Sequence, residues 1–452
     1  MAGLADIMET GKQGMMVSQA SIQITGKNIA NINTTGYSRL RLDVSPLLPE
    51  LLAGFSLGSA INGDSLRRIR EDFTDRQFWN QNSLLFQYSR EETLLQQLEG
   101  VLPVDNVSGL RNMLDEFWAS WNNLANDPES GVARTAVADK AETLVLTFNR
   151  VHREFASFQS SIADEAKSAL AEINQLAQEI AEINKVNPGN NFDLEDHRNR
   201  LIDDLTRLAN VTVIRNGGSV SISISGIAIV SGTNSLALEA QQTLDAQGIG
   251  SMKILLPGST RELKITSGEL GAMLNVLNVD IPNTISSIDT MASTLAQEVN
   301  ALHRTGFDLN GNTGLDFFAS TSTGAASLAI NSAIKADTSL IASADATGEP
   351  GNGSLAQAIS DLSEEALIGD QSIGEFQRTM VAKIGTRIQE ARFLRTSQEK
   401  VVDHLVMQRE SVSGVSIEEE MTRLVQLEQA FVTASRLIAT ADELTRTLLS
   451  LG

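Results

Sequence analysis

The chain has 452 residues, with 35 basic and 56 acidic side chains, a formal net charge of −21 and no cysteine. That length allows two or three domains of ~100–200 residues each. The acidic balance excludes a nucleic-acid binder, which needs clustered Lys and Arg to neutralise phosphates, and the missing cysteine excludes disulfides, thiolate metal sites and cysteine nucleophiles.

Hydrophobic residues make up 42% of the chain but aromatic ones only 4%, so the core is built from Leu, Ile, Val and Ala. Such a core suits long, closely packed helices better than a pocket lined with rings. The first ten residues carry Asp6 and Glu9 and lack a basic start followed by an apolar block, so no cleavable secretory signal is expected. No apolar run approaches the ~18–20 residues that span a bilayer, so no membrane insertion is expected. By these tests alone the protein is soluble and cytoplasmic.

The first predicted element is a helix over 4–32. Met8, Met15, Ile22 and Ile29 recur at seven, and a second line of Leu4, Gly11, Ser18, Thr25 and Ile32 is mostly small. Residues 28–39 follow as Asn-Ile-Ala-Asn-Ile-Asn-Thr-Thr-Gly-Tyr-Ser-Arg. Asn and Gly tolerate positive φ, so this cluster can end the helix and redirect the chain. Helices are then expected over 74–102 and 110–125. Asp127 as N-cap and Pro128 at the first helical position predict the start of a third, whose line Ala141, Phe148, Phe155, Ile162, Ala169, Leu176 and Ile183 runs to a stop at Asn187-Pro188-Gly189. A helix over 194–209 precedes β-branched alternation at 211–214, 219–230, 252–256 and 262–265, broken by Asn216-Gly217-Gly218 and Pro257-Gly258. Helical pattern resumes at Gly268, then over 288–303 and 375–408.

The last predicted helix, 417–450, repeats the device of the first. Ile417, Leu424, Phe431 and Ile438 form one line, and Leu427, Ala434, Ala441 and Leu448 the other. Two uncompleted stripes at opposite ends of one chain are filled either by each other or by neighbouring copies, and periodicity does not choose.

The expected fold is therefore mainly α with a small β insertion: terminal coiled-coil helices, a long discontinuous helical bundle and an outer antiparallel β domain. Residues 1–45 and 415–452 form the terminal layer, 46–210 and 266–414 the bundle, and 211–265 the insertion.

Chemistry-bearing motifs are weak. Asp308, Asn310 and Asn312 have the two-residue spacing of a calcium loop, but Thr313 stands where Gly is needed and Ala319 where Glu is. His152, His197, His303 and His404 are scattered, with no pair on one helix face. Adjacent acids such as Glu91-Glu92 and Asp203-Asp204 face different directions on a helix and read as solvated surface. No catalytic, cofactor or metal site is expected.

Residues 28–39 behind a heptad helix resemble the signature of bacterial flagellar rod, hook and hook-associated proteins, carried here by Asn28, Asn31, Asn33, Gly36, Tyr37, Ser38 and Arg39. Ser413-Gly414-Val415-Ser416-Ile417 with the acids 418–420, the C-terminal heptads, and residues 268–274, 303–318 and 328–337 narrow the resemblance to the hook–filament junction members of that family. Ser332 and Thr338 depart from it, standing where the family often has proline. The chain is also shorter than many members.

The resemblance implies a non-enzymatic, self-assembling structural component joining hook to filament as a ring, its terminal helices inside and its β insertion outermost. The implied partners are neighbouring copies, the hook subunit, the second hook–filament junction protein, a flagellar export chaperone and the type III export apparatus. It further implies an extracellular place in the flagellum, reached without a cleaved signal peptide. In that reading the assembly residues are Met8, Met15, Ile22, Ile29, Leu424, Leu427, Phe431, Ala434, Ile438, Ala441 and Leu448, whose helices are expected to be largely unfolded or fraying in the lone chain and to order only when neighbours cover them. Alternatives are another axial protein, such as the hook subunit or the second junction protein, and a secreted hydrolase on a helical stalk, for which no nucleophile, metal set or acid–base pair is visible.

Overall fold

A computed structural model describes residues 2–43, 66–102, 109–187, 191–245 and 249–450. The chain opens with α1 (Ala2–Ala30), and a two-stranded antiparallel sheet of β1 (Leu40–Leu42) and β2 (Leu66–Arg68) follows. Four helices come next: α2 (Asp72–Val101), α3 (Leu110–Asn126), α4 (Gly131–Val186) and α5 (Phe192–Leu208). The strands β3 (Thr212–Asn216), β4 (Ser219–Ile224), β5 (Ile227–Ser231) and β6 (Asn234–Ser235) form one antiparallel meander, and β7 (Glu239–Leu244) and β8 (Gly250–Leu255) a hairpin. The remaining helices are α6 (Gly268–Asn275), α7 (Ile281–His303), α8 (Ser332–Ala336), α9 (Ser354–Asp361), α10 (Ile373–Ser413) and α11 (Ile417–Ser450). The protein is thus mainly α with small antiparallel sheets.

The 56-residue α4 is the spine, about 84 Å long at ~1.5 Å per residue. Its buried line includes Ala141, Phe148, Phe155, Ile162, Ala169, Leu176 and Ile183. The start differs from expectation. Asp127 caps the end of α3 instead, and Ser130 caps α4 by accepting from the Ala133 amide. The reason lies in Arg134, which is buried and donates from Nε and Nη2 to the Pro128 carbonyl at 3.0 and 2.7 Å, holding 127–130 as a turn. At the other end Asn187 is the C-cap, whereas Pro188 and Gly189 lie outside the described residues, as does the expected boundary at 46.

The β strands lie along α4, and amides fasten them. Gln159 donates to the Gly250 carbonyl and accepts from its amide, both at 2.8 Å. Asn174 grips Leu238 in the same two-pronged way and Asn184 grips Val220. Each side chain supplies the donor and acceptor that a neighbouring strand would have offered, so the buried backbone groups stay paired. The stretch 219–230 is two strands, not one, because Ser225 and Gly226 take φ of 48° and 79° and turn the chain back. Of 262–265, Glu262 makes a single bridge to Leu255.

α2 and α10 run antiparallel, with Arg387 meeting Glu91, Gln398 meeting Gln81 and Arg409 meeting Asp75. Contrary to the solvated reading of that acidic pair, Glu91 and Glu92 are buried, and Arg392 and Arg395 both hold Glu92 at 2.8 Å. Between α6 and α7 a π turn, Val276–Asp280, ends just before Pro282. Proline cannot donate to the preceding turn, and the wider turn absorbs that missing bond.

Ser332 and Thr338 also find an explanation. Each is the first residue of a short helix whose cap, Asn331 or Asp337, accepts a backbone amide; a first helical position is where proline fits without loss.

Asp280, in the π turn, shares Arg387 with Glu91, the Arg387 nitrogens lying 2.9 Å from Asp280 Oδ1 and 2.5 Å from Glu91 Oε1. Burial raises the Asp280 carboxyl to about 6, with Glu91 adding to the rise and Arg387 opposing it. Glu390, also on α10, adds negative charge around Arg387. A raised pKa means the folded state prefers the protonated group, so its stabilisation is complete below the ordinary value of 3.8 and is lost as pH climbs to about 6. In D280N, which stays neutral, that decline is absent. The melting temperature of D280N therefore gains on wild type between pH 4 and 6 and keeps a constant offset above 6; an offset independent of pH throughout would contradict this.

Candidate assembly site where the terminal helices meet the bundle

α1 and α11 pack antiparallel, and the close approach is made by the small line. A Cβ on Gly11 would lie 2.7 Å from Ile438 Cγ1, and one on Gly14 3.4 Å from the Ala434 Cβ. Gly11, Ser18, Ser21, Thr25 and Asn28 are buried in α1. Met15, Ile22 and Ile29 are half-buried on its flank, and Met8 is 37% exposed. On α11, Ala441 is buried, Leu424, Leu427, Phe431, Ala434 and Ile438 are half-buried, and Leu448 is 54% exposed. Val425 and Leu444, outside the expected lines, are 54% and 50% exposed. Each helix thus satisfies part of the other's stripe and leaves an apolar flank open to solvent.

The turn after α1 is held by Asn28, whose amide uses all four of its hydrogen-bonding positions. Nδ2 donates to the Leu40 carbonyl at 3.0 Å and to Glu420 Oε2 at 3.1 Å. Oδ1 accepts from the Tyr37 hydroxyl at 2.8 Å and from the Leu40 amide at 3.0 Å. One buried side chain thereby joins α1, the turn, β1 and α11. Burial, together with Asp196, Asp193 and Glu420, raises the Tyr37 phenol above its ordinary range and keeps it a donor.

Asn31 closes the helix end, donating to the Lys27 carbonyl at 2.9 Å and accepting from Thr34 Oγ1 at 3.2 Å, while Asn33 is exposed. Gly36 adopts a φ of 76°, which favours glycine. Ser38 donates its amide and hydroxyl to Asp196 on α5, at 3.0 and 2.9 Å. Arg39 donates its amide to the Ser413 carbonyl and its guanidinium to Glu419, at 2.9 and 2.8 Å. Ser38 and Arg39 thus tie the turn to α5 and α10, Asn28 and Tyr37 tie α1 to β1 and α11, and the bonds of Asn31 stay within the helix end.

Beneath the turn lies a closed charge network. Asp75, fully buried in the first turn of α2, receives Arg70 at 2.5 Å, Arg215 at 3.1 Å and Arg409 at 3.2 Å. Arg215 also meets Asp72, and Arg409 meets Asp203, to which Trp79 Nε1 donates at 2.6 Å. Three arginines thus face three aspartates, drawn from the link between β2 and α2, from β3, and from α2, α5 and α10. Burial alone would lower the Arg70 pKa, but its bond to Asp75 and the nearby acids carry it above the ordinary value. Burial raises the Asp203 carboxyl, with Arg409 and Arg70 opposing. Sequence reading missed this network. The available signal was a charge on an apolar helix face, since Asp75 stands three and four residues before Phe78 and Trp79.

The polar groups singled out by sequence are engaged in structural hydrogen bonds. The Asp308 carboxylate accepts the amides of Asn310 and Asn312 at 2.7 and 2.8 Å, which fills the loop with N–H donors rather than a cation. His303 is buried, its Nδ1 bonded to the Leu315 carbonyl and its Nε2 accepting the Ala342 amide, and burial lowers its pKa. Among the described residues no group of His, Asp or Glu could hold a metal ion, and no helix is long and apolar enough to cross a membrane.

Three family models match this chain. Residues 95–318 match the flagellar hook-associated protein FlgK helical domain, 408–451 the C-terminal region of flagellar basal body rod FlgEFG proteins, and 8–37 the flagella basal body rod protein. The flagellar hook-associated protein 1 of Bacillus subtilis is 28% identical, over 97% of this chain and 96% of the relative. Its counterpart in Salmonella typhimurium is 23% identical over 99% and 100%. The structure of the flagellar hook junction protein FlgK from Burkholderia pseudomallei superposes with a TM-score of 0.66 over 75% of this chain and all of that one, at 14% identity, a likeness of fold.

Proposed function

The chain belongs to the family of flagellar rod, hook and hook-associated proteins and is a structural component at the hook–filament junction, and we propose that it acts there as a non-enzymatic adaptor that assembles through its terminal helices. The observation that carries this mechanism is the apolar flank left open on the α1–α11 pair, with Met8, Val425, Leu444 and Leu448 all more than a third exposed. A water-facing seam on an otherwise acidic molecule is covered most readily by the same seam on neighbouring copies. Copies arranged side by side as a ring would bury these flanks. The hook subunit and the second junction protein are then the partners above and below, and the export chaperone and type III apparatus deliver the chain outside the cell.

The pair is held by Gly, Ser and Thr along α1, which bury little apolar surface, so on this reading the terminal helices fray in the lone chain and are fixed by assembly. Val425→Asp and Leu444→Asp test the proposal. Both positions are exposed, so the expected change in monomer stability is within about 0.5 kcal/mol. Isolated hook–basal bodies should nevertheless lack the variants, and the cells should lose motility. Variants found at the junction in wild-type amounts would reject the reading.

A further inference from the structure

A cleft of about 900 Å³ opens between the signature turn, α5 and the end of α10. Most charges on its walls are matched: Arg39 by Glu419, Arg70 by Asp75, and Arg409 by Asp75 and Asp203. Arg200 is different. Its Nε is shut off from solvent without a hydrogen-bond partner, and its guanidinium makes no hydrogen bond or ion pair with the described residues. Its stem crosses Gly36 so closely that a Cβ there would lie 2.7 Å from Arg200 Cγ. The signature glycine therefore keeps open the path by which Arg200 reaches the cleft.

A guanidinium with its planar fork unoccupied is a receptor for a carboxylate. Asp204 stands one helical turn further along α5 and Glu410 faces it from α10; both are exposed, and Asp204 does not pair with Arg200. The cleft thus offers one sheltered cation with two acids at its mouth.

We propose that this cleft is the socket for a second copy of the chain, which inserts a carboxylate onto Arg200 and brings a neighbouring basic residue to Asp204 and Glu410. The inference rests on the assembly reading above. Exposed acid–base pairs one helical turn apart, such as Asp442 and Arg446 on α11, have the required chemistry. With a net charge of −21, copies repel at a distance, so contact between them is favoured where a carboxylate finds an unmatched cation.

Full-length R200A and R200K, expressed in place of wild type, test this. R200A should keep the melting profile of the wild-type monomer, while its amount at the hook–filament junction falls by about tenfold or more. R200K places an amine in the socket. Treating isolated flagella with a zero-length carbodiimide should condense that amine with the visiting carboxylate, the carbodiimide taking up the water as its urea. Denaturing gels should then show a dimer that monomer samples lack, and mass spectrometry should join peptide 200 to an acidic peptide of this same chain. Wild-type incorporation of R200A, a link to another flagellar protein, a link to Asp204 within one chain, or no link at all would each overturn the socket. If wild type itself is missing from the junction, the assembly reading falls first, whereas wild type and R200A both in place refute the socket alone.

Discussion

Asn28→Ala frees the terminal helices from the rest of the molecule. Truncation strands the Leu40 amide and carbonyl, the Tyr37 hydroxyl and the Glu420 carboxylate, all of which Asn28 now satisfies. A buried polar group left without a partner costs about 1–3 kcal/mol, and with some of the four regaining water the expected loss is ~3–5 kcal/mol. It falls on the joint rather than on the core around α4. Amide exchange should therefore accelerate in the turns of α1 and α11 nearest Asn28 and Glu420, which these bonds hold even where the far ends fray, while protection along α4 and α7 stays near wild type; unchanged protection in those turns would contradict the role given to Asn28. Asn28→Asp keeps an acceptor for Tyr37 and Leu40 but turns a carboxylate toward Glu420, so it fails as well. Adding E420Q, whose amide can donate to the new carboxylate, should recover part of the loss.

The same residue shows what the sequence reveals and what it withholds. Asn28 stands out within the signature, and its place at a helix end follows from its chemistry, but its contact with Glu420 joins positions 392 apart, which no local pattern encodes. The heptads located both terminal helices. Which line faces inward was decided by reach: Gly11 lets Ile438 come closer than any larger residue would, so the small line turns in and Met8 turns out. In α4 the long spacing-seven line was legible, yet its first turn was misplaced, because Arg134 binds the Pro128 carbonyl and unwinds the start that Asp127 and Pro128 promised. The strands were readable by alternation, but their attachment was not. Gln159 and Gly250 are 91 residues apart, and a buried glutamine on a helix gives only the hint that some backbone segment must satisfy it.

The second large effect belongs to Asp75. Asp75→Ala leaves Arg70, Arg215 and Arg409 facing one another with only Asp72 and Asp203 to balance them, in a place where Asp75 itself has no exposure. Removing one partner of a buried ion pair costs about 3–5 kcal/mol, and here a single carboxylate serves three guanidiniums. The loss should appear as a lower melting temperature of the whole bundle, because Asp75 binds the link before α2, β3 and α10 to α2 at once. The contribution of one pair is then separable. If the Arg70–Asp75 contact is made in the folded state, D75A and R70A together should destabilise by less than the sum of the two single changes, by about 1–3 kcal/mol, whereas an additive cycle would show that they do not act on one another. A contrast with Asn28 follows from position alone. The amide governs how the terminal pair is held and leaves the bundle standing, whereas the carboxylate governs the bundle, and with it the platform from which the terminal pair projects. Melting and amide exchange measured on the two variants side by side should therefore separate: N28A loses protection in α1 and α11 with little change in melting, and D75A lowers both.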